Sequence, residues 1–268
     1  MNLDDYTGEF LKKVGNIEDF SREFLVKLAH VYEDTLVWTY YAWTTVYAKR
    51  VGLHEAWDVA GEMSRGTLRQ AMPMARYVAP PGWDWKNPQY QAAPFDCQAD
   101  DLTKEGLIKL IKTYWDQYLK VQNLWLDHFV AKMGEEAWEL LGEVYELIVD
   151  YEYPKLAKVC RIEPKHVIDY IKLANIGIDG TSGYQGEWEI INPDHVVLKM
   201  RKCEVLQKYR DEGLYPPERA WMNCKHEGLI SRKFFPGCKL DIKLPPPDLK
   251  VPPGEPFCVW TYTKKAKK

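Results

Sequence analysis

The sequence predicts an α+β fold: tandemly duplicated helical hairpins forming a bundle, followed by a small antiparallel sheet with helices on one face. Three observations carry that expectation. The stretch from Ser21 to Trp57 recurs from Thr103 to Trp138, and both copies space their apolar residues as one face of a helix. Beyond residue 160 the pattern changes to short β-branched and aromatic runs punctuated by glycine and proline. The chain divides accordingly into a first helical repeat (1–72), a Pro/Trp-rich connecting loop (73–102), a second repeat (103–160), an α+β part (161–263) and a basic tail (264–268).

The two copies align at one fixed offset until a single-residue deletion just after the glycine. Glu23, Leu25, Leu28, Tyr32 and Asp34 match Glu105, Leu107, Leu110, Tyr114 and Asp116. Trp43 and Gly52 match Trp125 and Gly134, and after the deletion Ala56, Trp57, Gly61 and Glu62 match Ala137, Trp138, Gly142 and Glu143. Ser21 and Thr103 are suited to cap helix N-termini, with Glu23 and Glu105 in the first turn where the helix dipole favours negative charge. Leu25, Leu28, Tyr32, Leu36, Trp43 and Tyr47 form one apolar face, and Leu107, Leu110, Tyr114, Tyr118, Trp125 and Phe129 form its counterpart. Gly52 and Gly134 end those helices, because glycine enters positive φ at little cost. Second helices are expected over His54–Met72 and Glu135–Lys158. Neither hairpin hides its aromatic stripe alone, so the two should pack face to face about a pseudo-twofold axis.

The loop between them carries Pro80, Pro81, Gly82, Trp83, Trp85, Pro88 and Pro94, a composition that fits an ordered strap or a lid. After the second repeat, Glu163–Ala174 reads as a short helix closed by Gly177, Gly180, Gly183 and Gly186, which suggest a hinge or wide turn. That stretch lacks the GxGxxG spacing of a dinucleotide loop. Strands are expected at Glu187–Ile191 and Val196–Arg201, joined as a hairpin through Asn192, Pro193 and Asp194. Helices follow at Cys203–Glu212 and Glu218–Phe234, then strands at Lys239–Leu244 and Phe257–Thr263.

Composition narrows the function classes. With 46% hydrophobic and 28% charged residues in 268, the chain has the make-up and length of a globular protein with a full core. A net charge of -3 gives no basic field for a phosphate backbone, so nucleic acid is not an expected partner. The N-terminus lacks the basic-then-apolar order of a secretion signal, and the uncharged stretch Thr35–Ala48 is too short to cross a bilayer, so a cytoplasmic location without membrane contact is expected. The 11 Trp and 17 Tyr suit a thick core, an aromatic pocket or a homo-oligomeric interface. Six cysteines without any CxxC read as reduced thiols.

Candidate chemistry concentrates in the second part. Cys203 closes a strand, Cys224 lies on a helix beside His226 and Glu227, and Cys258 lies on the last strand. Thiolate, imidazole and carboxylate are the ligands zinc prefers, and three of them with an open position make a hydrolytic or Lewis-acid site. On a helix Cys224 and Glu227 share a face, whereas Cys224 and His226 do not. Three readings stand side by side: a zinc site on Cys203, Cys224, Glu227 and Cys258; a Cys224 nucleophile with His226 or Glu227 moving protons; and buried cysteines serving as small hydrophobes. His54-Glu55 and His226-Glu227 begin like the zinc-protease helix, but Asp58 and Ile230 stand where its second histidine belongs.

The stretch Val196–Tyr262 also carries a family likeness. Arg201-Lys202-Cys203, the helix with Cys224 and Glu227, Phe235-Pro236, Leu244-Pro245-Pro246-Pro247 and Pro253-Gly254-Glu255-Pro256-Phe257-Cys258-Val259-Trp260 resemble the C-terminal half of the L-2-amino-thiazoline-4-carboxylate hydrolase-like family. They are more distantly similar to the vinyl-reductase-type ligand domains of aromatic sensors. The resemblance implies either water attack on a C-N or C=N bond of a small, cyclic acid, or binding of a small aromatic with structural zinc. It points to Cys203, Cys224, Glu227 and Cys258 as the positions to carry over. In the binding alternative, Trp38, Trp43, Trp115 and Trp125 line the ligand pocket.

Overall fold

The computed structural model describes residues 17–76, 99–180, 184–211, 213, 224, 237–246 and 248–264. The elements along the chain are α1 (Arg22–Val51), α2 (Leu53–Arg76), α3 (Lys104–Met133), α4 (Glu136–Cys160), α5 (Val167–Asn175), β1 (Tyr184–Asn192), β2 (His195–Cys203), α6 (Glu204–Asp211), β3 (Cys238–Lys243) and β4 (Cys258–Lys264). Four helices of the duplicated part form a bundle, and the four strands form one antiparallel sheet in the order β1-β2-β4-β3. The connecting loop opens later than its composition suggests: α2 runs past Pro73 to Arg76, losing one backbone hydrogen bond there. The helix expected over Glu218–Phe234 lies outside the described residues, except for Cys224, which has helical backbone.

Both repeats begin and end as their sequences dictate. The Ser21 and Thr103 hydroxyls accept from the N–H groups of Phe24 and Gly106, and Gly52 and Gly134 close α1 and α3 at φ 91° and 65°. The chain then turns at once, so α1 and α2 form one hairpin and α3 and α4 the other. Ion pairs such as Lys112–Glu18 and Lys132–Glu55 link the two halves in a parallel sense. Lys155–Asp34, Lys49–Glu143 and Arg50–Glu136 pair α1 with α4 in an antiparallel one. These pairs are solvated, and each contributes less than about 1 kcal/mol, so they mark the register more than they hold the bundle.

The holding comes from the aromatic faces. Equivalent residues meet across the pseudo-twofold axis: Trp43 lies near-parallel to Trp125 at 6.1 Å, and Tyr47 stacks on Phe129 at 5.0 Å. The diagonal pairs Trp43–Phe129 and Tyr47–Trp125 both meet edge-on. Trp43, Trp125, Tyr47 and Phe129 are fully buried. The symmetry stops at the second helices. α1 packs along α4, while α2 leans far less on α3. The aligned pair Trp138 and Trp57 records the difference, at 5% and 61% exposure.

The sheet is buried on one face only. Val196, Leu198, Met200, Cys258 and Tyr262 point inward, while Glu187, Glu189, Lys199, Arg201 and Asp241 face solvent. α5 covers the inner face, with Tyr170 at 5.7 Å from Tyr262 and 5.9 Å from Tyr153 of α4, so it is the joint between sheet and bundle. Its N-terminus is capped from a distance. Asp194, in the β1-β2 turn, accepts from Val167 N–H at 3.2 Å and pairs with His166 Nδ1 at 3.0 Å, while Pro193 O accepts from Ile168 N–H. Since an ionised carboxylate only accepts, Nδ1 carries the proton. Asp194→Ala is expected to cost about 1–2 kcal/mol, read as a lower urea midpoint at unchanged m.

Candidate functional site

Strand register decides where the cysteines lie. Residues directly opposite in an antiparallel pair share a face, and Cys258 stands opposite Met200, so its side chain is inward. Strict alternation sends Arg201 outward, Lys202 inward and Cys203 outward. The β1-β2 ladder, however, skips a residue: Gly186 pairs with Met200 but Gln185 pairs with Lys202. That bulge at Arg201 resets the parity, leaving Arg201 and Lys202 exposed and Cys203 half-buried. Cys203 comes near enough to Cys258 for charge on one to oppose charge on the other.

The Cys258 environment favours the thiol. It is 6% exposed, and the Trp260 indole N–H donates to its sulfur at 3.3 Å. Burial pushes its pKa up to about 12; the Trp260 contact pulls the other way and Cys203 adds to the rise. Cys224 is half-buried on helical backbone. His226 and Glu227 lie outside the described residues. Among the described residues no three His, Cys, Asp or Glu side chains are grouped to hold a metal ion. Of the expected zinc quartet, Cys203 and Cys258 show mutual influence among the described residues, through charge. Of the other described cysteines, Cys160 is buried at the end of α4 and Cys238 lies at the far end of β4 from Cys258.

The four tryptophans proposed to line a ligand pocket take three different positions. Trp43 and Trp125 occupy each other's flanks in the closed core. Trp115 is half-buried, and its indole N–H finds no acceptor among the described residues. Trp38 is half-buried at the α1-α4 seam, stacked on Tyr151 at 4.4 Å and touching Tyr41 at 4.5 Å, with its N–H given to Leu147 O. Beside it Tyr41 and Val37 are exposed at 51% and 69%, so an open aromatic surface lies on this flank of α1.

A second polar assembly lies inside the protein, and periodicity gives no sign of it. Trp43 N–H donates to Gln122, whose amide donates to Tyr118 Oη at 2.7 Å. Tyr118 in turn faces Tyr145, Asp179 and Glu152. Glu152 is 2% exposed and accepts from Ile178 N–H at 2.7 Å. In the sequence Glu152 looks like one more charge on a helix rich in glutamate; only its position two residues after the surface carboxylate Asp150, on the inward face, distinguishes it.

No helix among the described residues is long and apolar enough to cross a membrane. Comparison with protein-family models, curated proteins and solved structures finds no match to this chain. The fold defines a class, an α+β protein with a duplicated helical bundle followed by a small antiparallel sheet.

Proposed function

We propose that this chain is a small-molecule-binding or sensory module in which zinc has a structural role. The supporting observation is the bulge at Arg201, which takes Cys203 out of the strand's alternation and leaves it half-buried, near enough to Cys258 for their charges to oppose. Cys258 is enclosed and strongly favours its thiol when no metal is bound, which suits a structural position; the nucleophile of the competing reading is Cys224, which is half-buried. One enclosed sulfur and two half-buried ones suit a closed metal site that ties β2, β4 and the segment around Cys224 together. Cys203, Cys224, Glu227 and Cys258 would hold the ion, and the metal would supply cross-linking rather than an activated water. The ligand side of the reading rests on the exposed aromatic surface of Trp38, Tyr41 and Val37, which fits a planar, aromatic small molecule. The hydrolase-type reading implied by the family likeness is the competing outcome.

Elemental analysis with chelation separates the two. The expected result is about one zinc per chain, whose removal lowers the melting temperature and whose binding is lost in Cys258→Ser. Turnover of a cyclic C=N carboxylic acid that disappears on metal removal, with the melting temperature unchanged, overturns the module reading in favour of the hydrolase. Absence of zinc in protein purified without chelator overturns the metal role itself.

A further inference from the structure

We propose that the Glu152 and Asp179 carboxyls form a proton-dependent latch, fastening the turn at residues 176–180, and through it α5 and the sheet, to the helical bundle. Three bundle helices converge on this turn. From α1, the Tyr32 hydroxyl lies 2.7 Å from Ile176 O and 2.9 Å from Gly177 O. From α4, Glu152 accepts from Ile178 N–H. From α3, Tyr118 faces both carboxyls. The turn is therefore held by polar contacts largely withdrawn from water, with Ile176, Gly177 and Ile178 buried and Asp179 half-buried, where each contact counts for more than at the surface.

The two carboxyls crowd one another. A side-chain carbon at Gly177 would stand 3.3 Å from Asp179 Oδ1 and 3.6 Å from Glu152 Oε2, so both oxygens border the same small space. Glu152 is 2% exposed, and two unscreened negative charges so close together are costly. Among the described residues, the groups near the pair include Tyr32, Tyr118 and Tyr145 and the backbone N–H groups of Ile178, Asp179 and Gly180. The N–H groups offset part of one charge but not two. At least one carboxyl must therefore keep its proton for the turn to stay seated.

The proton affinities agree with this geometry. Loss of water, and then the charge of Asp179, lift Glu152 to about 8 against the pull of Ile178 N–H. Burial lifts Asp179 to about 6 despite the N–H groups of Asp179 and Gly180. Both values lie above those of the unfolded chain. The stabilisation is therefore complete in acid, declines once the pH passes the ordinary carboxylate range, and is gone above about 8. In mildly alkaline solution, above about pH 8 where both carboxyls are charged, the joint between bundle and sheet becomes the part of the protein that loosens first.

The test is the pH profile of stability in wild type and Glu152→Gln. The melting temperature of wild type is expected to fall by about 5 °C or more from pH 5.5 to 8.5, and the variant, whose amide oxygen still accepts from Ile178, should lose most of that slope. A second measurement needs no variant. Amide exchange at residues 176–180 in wild type, corrected for intrinsic hydroxide catalysis, should accelerate over the same range while α1 and α3 hold their protection. Equal slopes in the two proteins overturn the latch. If Glu152→Gln does not fold, exchange at 176–180 that keeps constant protection across the range overturns it alone.

Discussion

Trp43→Ala is expected to lower stability by about 4 kcal/mol, close to the largest effect of any single truncation in the bundle. The indole is fully buried, lies near-parallel to Trp125 and meets Phe129 edge-on, so its removal opens a cavity at the contact between the two repeats. It also strips Gln122 of a donor in a site without water. Trp57→Ala is the informative comparison, since Trp57 lies on α2 with 61% of its surface exposed. A change below about 1 kcal/mol is expected there. Denaturant unfolding of both variants checks the difference. Comparable losses would mean that the first hairpin's second helix carries as much of the core as the first.

Gly180→Ala is expected to cost about 3 kcal/mol or to prevent folding, because the added carbon would lie 2.0 Å from the Ala174 carbonyl oxygen, with backbone carbons of Ala174 and Asn175 at 3.1 Å. Those atoms belong to the last turn of α5, which cannot withdraw without unseating Tyr170 from the core. Gly177→Ala meets instead the end of the Asp179 side chain at 3.3 Å rather than backbone at 2.0 Å, and should cost about 1 kcal/mol. Thermal melts of the pair at pH 6 rank the two positions. A Gly180→Ala protein as stable as wild type would show that the turn at 176–180 is not clamped between α5 and the bundle.

The helical half was largely legible because its information is local. Ser21, Thr103, Gly52 and Gly134 specify where α1 and α3 begin and end through contacts within one turn, and the apolar stripes specify which faces are hidden. The duplication even indicated which residues would meet, since Trp43 against Trp125 and Tyr47 against Phe129 are equivalent positions. What the repeat did not convey was the unequal packing of α2 and α4. Two segments of similar sequence diverge once one of them, α4, is continued by α5 and the sheet. The glycine-rich stretch after α5 read as a hinge or wide turn; residues 176–180 do turn, with Gly177 and Ile178 buried and gripped by Tyr32 and Glu152.

By itself, then, the sequence determined the twin hairpins, the four-stranded sheet and the set of cysteines, because caps, turn residues and the two hydrophobic periods act over a few residues. Only the tertiary structure decided that Cys203 leaves the alternation of β2, since a one-residue bulge shifts side-chain parity and depends on the partner strand. It alone decided that Glu152 faces Asp179 inside the protein. A carboxylate is the same letter in water and in a core, and the removal of its water is a property of everything packed around it.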